Sequence, residues 1–286
     1  MDGIIIINKQ KGCTSHDVVH KIKKIYNTKV GHTGTLDPNA TGVLPILLGK
    51  GTKLSKYLID HNKEYEATIK LGIKTDTADI EGEIVENKKV QKEKLNTENI
   101  NQALKDFIGK QYQTPPMYSA IKVNGKKLYE YARRGENVDI KPREIEIYDI
   151  ELLKVNKEEE EIIFRVKCSK GTYIRTLCEN IAEKLDTVGY MKDLNRTEVG
   201  IFNIKDAVII DDLQNDPESI KIITIEDLFK QKEIIRLNNR KIEYLLNGVK
   251  ITQNLKDGIY RIYDEENKFI GIGIVEKKLL KIDLRA

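Results

Sequence analysis

The chain has little cysteine, no long apolar run and only a small excess of basic residues. Its three cysteines are odd in number and lack CxxC spacing, which argues against a disulfide framework and against a zinc knuckle. No apolar run approaches the ~18 residues that span a bilayer, and the opening MDGIIIINKQKG lacks the basic leader of a secreted protein. These absences predict a reduced, cytoplasmic protein without a membrane segment.

The small basic excess does not by itself identify a partner. The net charge is +4 and the isoelectric point is about 8.6, below the value of ~9 that would indicate a nucleic-acid-binding domain. The basic residues are nevertheless concentrated in two clusters, which are Lys9, Lys11, Lys21, Lys23 and Lys24, and Lys122, Lys126, Lys127, Arg133 and Arg134. Each cluster fits either a nucleic-acid surface or an ordinary solvated face.

Hydrophobic periodicity predicts an α+β fold on a mixed, largely antiparallel sheet, because strands and helices follow one another without a regular βαβ repeat. Strands are expected at 3–7, 64–72, 143–154, 161–169, 259–264 and 269–278, and helices from Ser15, from Thr97 to a stop at Gly109, at 171–185 and at 240–247. A length of 286 residues exceeds a typical domain of ~100–200 residues. We therefore expect a large domain at 1–230 and a small β-rich module at 231–286.

Residues 30–45 form a predicted loop, because their glycines and the Asp37-Pro38 step disfavour regular helix and central strand. A long ordered loop in a compact domain usually carries a function. The segment GHTGTLDPNATG (31–42) crowds Gly, His, Thr, Asp and Pro into twelve residues. Asp37 could react with a substrate, or it could simply form an Asx turn.

Two other motifs resemble known sites only in part. HDVVH (16–20) is similar to the zinc-protease pattern H-E-x-x-H, but Asp17 is shorter than the required glutamate and no third ligand follows at suitable spacing. A metallohydrolase built on His16 and His20 is therefore a minor alternative. LGKGTK (48–53) lacks the glycine and the hydroxyl residue of a phosphate-binding loop.

The segment GHTGTLDPNATG resembles the signature motif of the TruB family of tRNA pseudouridine synthases. Four further blocks resemble the family in the same order, and they are INKQKGCTS (7–15), KEYEATIKLGIKTDTADIEG (63–82), PPMYSAIKVNGKKLYEYARRG (115–135) and CSKGTYIRTL (168–177). The resemblance implies a pseudouridine synthase fold with a PUA-like RNA-binding module at 231–286. It also implies isomerisation of uridine 55 in the T loop of tRNA, without a cofactor or metal. Nothing in the sequence demands a protein partner or a second copy, so we expect a monomer.

The resemblance also implies roles for individual residues. Asp37 matches the catalytic aspartate, which engages the nucleoside covalently at either the ribose or the base. Burial disfavours an ionised carboxyl group, and a protonated acid is a poor nucleophile, so Arg175 is expected to stabilise the Asp37 carboxylate. Tyr65 is expected to stack on the uracil and to assist removal of the C5 proton. His32 is expected to insert as a wedge into the RNA loop. Lys9 is expected to support the active-site loop or to bind a phosphate, and Tyr173 and Leu194 are expected to form walls of the pocket.

Several of these residues also have plain structural explanations. Arg175 could be a surface arginine, although a cation is unfavourable near a helix N-terminus. Tyr65 and Leu194 could be core residues, and His32 could be an ordinary loop histidine. A non-catalytic RNA-binding protein would use the same basic clusters to bind tRNA, so it remains the main alternative function.

Overall fold

Two β-sheets organise the computed structural model, which describes residues 1–59, 61–136 and 138–286. The strands in these ranges are β1 (Gly3–Lys9), β2 (Val30–His32), β3 (Thr41–Leu48), β4 (Lys63–Leu71), β5 (Ile73–Thr75), β6 (Ile84–Asn87), β7 (Gly109–Gln113), β8 (Lys122–Val123), β9 (Lys126–Lys127), β10 (Arg143–Asn156), β11 (Glu161–Cys168), β12 (Gly189–Val199), β13 (Phe202–Asn203), β14 (Ile234–Arg236), β15 (Ile251–Thr252), β16 (Gly258–Tyr263), β17 (Phe269–Glu276) and β18 (Leu279–Arg285). The helices are α1 (Ser15–Tyr26), α2 (Ser55–Leu58), α3 (Thr97–Lys105), α4 (Leu128–Ala132), α5 (Ile174–Lys184), α6 (Ile210–Asn215), α7 (Ile225–Leu228) and α8 (Asn239–Leu246), with 3₁₀ turns at Gly49–Leu54, Lys92–Lys94 and Ile204–Asp206. None of the helices in the described ranges combines the length and apolar character that crossing a membrane would need.

The larger sheet has the strand order β1-β3-β12-β4-β11-β10-β7, with β2 added to β3 and β13 added to β12. All of its pairs are antiparallel except β3 with β12. The predicted mixed, largely antiparallel sheet is therefore confirmed. Strand β12, which the sequence analysis did not identify, lies at the centre of the sheet between β3 and β4.

The main core forms where amphipathic helices cover one face of this sheet. Helix α1 begins with a capping box in which Thr14 and Asp17 satisfy each other's backbone N–H groups. The predicted inward face of α5 is confirmed, because Ile174, Leu177, Cys178 and Ile181 are buried. The strand predicted at 64–72 is also confirmed, with Tyr65, Ala67, Ile69 and Leu71 all buried.

The predicted loop at 30–45 is wrong at both ends, because β2 and β3 leave only residues 33–40 without regular structure. Pro45 is tolerated inside β3 because it lies between the stretch paired with β12 and the stretch paired with β2, where no ladder hydrogen bond needs its missing N–H. Gly109 begins β7 rather than ending α3, which ends at Lys105. Residues 111–142 contain the end of β7 and then β8, β9 and α4, and residue 137 lies outside the described residues.

The second sheet has the order β14-β16-β17-β18-β15 and confirms the β-rich C-terminal module. Its strands β16 and β17 correspond to the two predicted at 259–264 and 269–278. The module has a small core of its own, but Ile272 and Leu284 pack in one cluster with Ile4 and Phe202 of the larger sheet. The division at residue 230 stays a prediction.

We predict that the module contributes to the stability of the whole chain through this shared cluster. Leu284 is 1% exposed, so Leu284→Ala should lower the free energy of unfolding by ~2–5 kcal/mol, as expected when a buried leucine leaves a cavity. Leu279 begins the same strand but is 41% exposed, and Leu279→Ala should change the free energy by less than ~0.5 kcal/mol. Urea unfolding followed by circular dichroism measures both, and equal losses would contradict the shared core.

Candidate active site

Asp37 lies in the loop 33–40 that joins β2 to β3. The loop turns at Asp37, whose carbonyl oxygen accepts a hydrogen bond from the Ala40 N–H at 3.0 Å. It is anchored to α1 by Ser15, whose hydroxyl oxygen accepts from the Leu36 N–H at 2.9 Å and donates to the Leu36 carbonyl at 3.1 Å. The Asp37 carboxylate remains 41% exposed, so the loop holds it at the surface of a cavity rather than inside the core.

Lys9 supports the same loop from below. Its side chain is fully buried, and Nζ donates to the carbonyl oxygens of Gln10 (3.1 Å), Cys13 (2.7 Å) and Pro38 (3.0 Å). Burial lowers the pKa of Lys9, while the neighbouring Cys13 and Asp37 act in the opposite direction. Lys9 is therefore not part of an exposed basic cluster, which corrects its assignment to the first cluster. In the sequence Lys9 lies between polar residues, but in the fold three carbonyl oxygens surround its Nζ atom.

Arg175 is the second residue of α5, and its side chain is only 8% exposed. Its Nε lies 3.2 Å from Oδ2 of Asp37, and its Nη1 lies 3.3 Å from Oδ2 of Asp79. The guanidinium also donates to the carbonyl oxygens of Thr77 (3.3 Å) and Tyr118 (2.9 Å). Two carboxylates offset the unfavourable position of a buried cation at a helix N-terminus, and Arg175 is not a surface residue.

Asp79 is the residue of this network that the sequence analysis missed. Its Oδ1 accepts hydrogen bonds from the Thr77 hydroxyl at 2.6 Å and from the Glu81 N–H at 3.1 Å, which leaves Oδ2 for Arg175. The acidic turn TDTADIE (75–81) was visible in the sequence. Only the tertiary structure places Asp79 of this turn beside Arg175 of α5.

Tyr65 forms the floor of the site on β4 and is 7% exposed. It lies directly opposite Arg196 in the sheet, and the positive charge of Arg196 acts on its hydroxyl group. Burial raises the pKa of Tyr65 to about 12, although the Arg196 charge acts to lower it. The phenol is consequently protonated at neutral pH.

Five of the predicted site residues line one cavity of about 120 Å³, and they are Asp37, Tyr65, Tyr173, Arg175 and Leu194. Met191 adds a further apolar wall. The backbone of Tyr173 is held by the amide of Gln113, which accepts from its N–H at 2.8 Å and donates to its carbonyl at 3.0 Å. The cavity thus combines a carboxylate, a cation and aromatic and aliphatic walls, which suits a planar heterocycle attached to a polar sugar.

His32 does not line this cavity. It ends β2 immediately before the loop, and its buried Nδ1 has no hydrogen-bond partner among the described residues. Burial lowers the pKa of His32, and the nearby Arg196 and His16 lower it further. The side chain is thus a neutral ring beside the entrance to the loop.

The cavity opens into a wider groove of about 750 Å³ with a basic and aromatic lining that includes Lys63, Tyr118, Tyr129, Arg143 and Lys170. Two members of the second basic cluster flank the Tyr129 ring. Lys127 Nζ lies 5.3 Å and Arg133 Cζ 5.4 Å from the ring centroid, within cation–π range. The groove can hold a polyanion beside the cavity.

The two partial motifs have structural roles. Asp17 of HDVVH caps α1 through Thr14, and His16 and His20 are exposed on the helix. No group of three metal-binding side chains occurs in the described part of the chain. In LGKGTK, Gly51 packs against the backbone of Gly3, where a Cβ atom would lie 2.3 Å from the Gly3 carbonyl oxygen.

Family profiles cover most of the chain. The N-terminal domain of the TruB family of pseudouridylate synthases matches residues 21–174, a tRNA pseudouridylate synthase B C-terminal domain matches 175–233, and a pseudouridine synthase II TruB C-terminal domain matches 234–281. The chain belongs to the TruB family. It is therefore a pseudouridine synthase, and the predicted enzyme class is confirmed.

Curated relatives extend over nearly the full length of this TruB-family chain. A protein of Caldanaerobacter subterraneus subsp. tengcongensis named tRNA pseudouridine synthase B is 42% identical over 284 residues, which are 98% of each chain. A protein of Clostridium novyi with the same name is 44% identical over 99% of each chain.

Solved structures confirm the fold. A Cbf5-Nop10-Gar1 complex contains a chain with a TM-score of 0.70 at 26% identity, and an H/ACA RNP bound to a substrate RNA containing 2'-deoxyuridine contains one with a TM-score of 0.69 at 23% identity. Each match covers 99% of this chain and 84% of the other.

We predict that Gly42 is required for the geometry of this site. It has φ +107°, and a Cβ atom would lie 2.2 Å from the Arg196 carbonyl oxygen. Gly42→Ala should lower the free energy of unfolding by ~2–6 kcal/mol, since left-handed strain and a forced backbone shift each contribute ~1–3 kcal/mol. Gly12 has φ +83° with open space around it, so Gly12→Ala should show the strain alone, about 1–3 kcal/mol. Urea unfolding measures both variants, and a loss at position 42 no larger than at position 12 would contradict the tight packing.

Proposed function

We propose that this enzyme isomerises uridine 55 in the T loop of tRNA, with Asp37 as the reacting carboxylate. The observation that carries the proposal is the convergence of Asp37, Tyr65 and Arg175 in one cavity at the end of a basic groove. The relatives named tRNA pseudouridine synthase B, at 42–44% identity, support tRNA as the substrate.

The reaction places modest demands on the site. The N1–C1′ bond breaks, the uracil turns and a C5–C1′ bond forms, while C5 loses a proton and N1 gains one. No electrons are exchanged with a cofactor, so the side chains of the cavity suffice. Asp37 engages the nucleoside at the ribose or at the base, and its partly exposed carboxylate can reach either.

Arg175 orients the reacting carboxylate. Its Nε faces Asp37, while Asp79 and the Thr77 and Tyr118 carbonyl groups hold the remaining donors. A guanidinium fork with several fixed donors has little freedom to rotate. Asp37 is thereby held toward the position of the substrate.

The uridine must leave its stack to enter the cavity, at a cost of a few kcal/mol. Stacking on an aromatic ring such as Tyr65 contributes ~1–3 kcal/mol and offsets much of this cost. Leu194 and Tyr173 complete the walls. His32, a neutral ring beside the loop, inserts into the opened RNA and holds the base outside the stack.

The tRNA backbone binds along the groove, where Lys63, Arg143 and Lys170 provide cations. Lys127 and Arg133 of the second basic cluster add to them beside Tyr129. Lys9 does not contact phosphate in this proposal, because its buried Nζ already donates to three carbonyl groups and supports the active-site loop. The chain acts as a cytoplasmic monomer in which residues 1–230 carry the catalysis and the PUA-like module at 231–286 adds RNA contacts.

We predict that Asp37→Asn lowers the release of tritium from 5-tritiated uridine in tRNA by at least ~10³-fold, because the amide cannot act as the nucleophile. The fold and tRNA affinity should remain close to those of the wild type. Asp193→Asn is the matched control, since Asp193 is exposed and paired with Lys11 at 2.8 Å, and it should retain full activity. Turnover by Asp37→Asn would disprove the central role of Asp37.

The position of modification has a separate prediction. A tRNA transcript with cytidine in place of uridine 55 should bind with similar affinity but release no tritium, because phosphate contacts dominate affinity whatever the base. Tritium release from this transcript would show that another uridine is the substrate. A non-catalytic RNA-binding protein would bind both transcripts, with strong salt dependence, and form no pseudouridine from either.

A further inference from the structure

Arg196 is a buried cation that the sequence analysis did not single out. It is 1% exposed and is among the largest fully buried side chains in the described ranges. It lies on β12 between the strand that follows the Asp37 loop and the strand that carries Tyr65. In the sheet register it is directly opposite Gly42 on one side and Tyr65 on the other.

The contacts of Arg196 join these two parts of the site. Its Nε donates to the Val43 carbonyl oxygen at 2.8 Å, and its Nη2 donates to the Gly34 carbonyl oxygen at 3.0 Å. Gly34 precedes Asp37 and Val43 follows it, so the guanidinium holds both ends of the loop. Tyr65 lies directly opposite Arg196 in the sheet, and the two side chains interact electrostatically.

The chemistry of these partners is unusual for a buried arginine. They are two backbone carbonyl groups, which stabilise a cation less than a carboxylate does, and burial lowers the pKa of Arg196. Taking a charged group out of water costs several kcal/mol. A residue that only filled this space would not need a charge.

The side chains of Arg196 and Tyr65 both border the groove that also exposes Asp37.

We infer that Arg196 is a positioning residue for the isomerisation, which holds the ends of the Asp37 loop next to Tyr65 as one unit. The inference rests on the proposed roles of Asp37 and Tyr65. Arg196 itself does not contact the substrate.

Single-turnover assays on tRNA with Arg196→Lys and Arg196→Gln test this inference. Both variants should lower the rate constant by about 10²-fold, as a displacement of ~1 Å in a catalytic group does, and their tRNA dissociation constants should stay within about threefold. Arg196→Lys keeps the charge but loses the fork geometry, so it should be the less affected of the two. The control is Arg165→Lys, on the adjacent strand β11, whose arginine pairs with Glu64, Asp149 and Glu151 and whose variant should retain the wild-type rate.

A double-mutant cycle with Tyr65→Phe separates positioning from general support. If Arg196 acts through the Tyr65 hydroxyl, the loss in the double variant should be well below the product of the two single losses. A purely structural residue would give losses that multiply. Thermal unfolding of each variant shows whether the fold persists at the assay temperature.

The remaining outcomes distinguish a failure of the proposed function from a failure of the inference about Arg196. If Asp37→Asn and Tyr65→Phe keep the wild-type rate, the proposed function fails first. If those two are impaired while folded Arg196 variants react within threefold of wild type, only the present inference is wrong. If the losses multiply, or if neither Arg196 variant folds, Arg196 is a scaffold residue and the inference is overturned.

Discussion

The candidate active site depends on hydrogen bonds that buried cations donate to carbonyl groups of the loop 33–40. The loop 33–40 lacks regular structure, yet it must hold Asp37 at a fixed place beside α5. Lys9 donates to the Pro38 carbonyl and Arg196 to the Gly34 carbonyl, and both cations are excluded from water. Hydrogen bonds from charged donors are about twice as strong as neutral ones, so two of them add to the core packing of Leu36 and Ala40 in ordering the loop.

The electrostatic balance around the cavity follows from this arrangement. Two carboxylates share the single guanidinium of Arg175, and they differ in exposure. Asp79 is 13% exposed and tied to its own turn, whereas Asp37 is partly open to solvent. Asp79 orients the arginine together with the Thr77 and Tyr118 carbonyl groups, and the open carboxylate of Asp37 is the one available for the proposed reaction.

The sheet determines which segments meet at the cavity. Strands β3, β12 and β4 lie side by side, so the Asp37 loop, Leu194, Arg196 and Tyr65 come from three neighbouring strands, and α5 crosses above them. The opposite face packs against residues of the C-terminal module. The candidate cavity and the module therefore use different faces of one sheet.

Local patterns determined much of this protein from the sequence alone. Alternation revealed β4 and its inward Tyr65, helical periodicity revealed α5, and the crowded loop motif with its four companion blocks indicated the TruB family. These patterns can be read from the sequence because strand alternation, helix periodicity and turn chemistry depend on residues that are close in the chain. Asp79, the buried state of Lys9 and the role inferred for Arg196 were decided only by the tertiary structure. Their partners lie up to 162 residues away, and which side chains face one another depends on sheet register and helix docking, which spacing along the sequence does not encode.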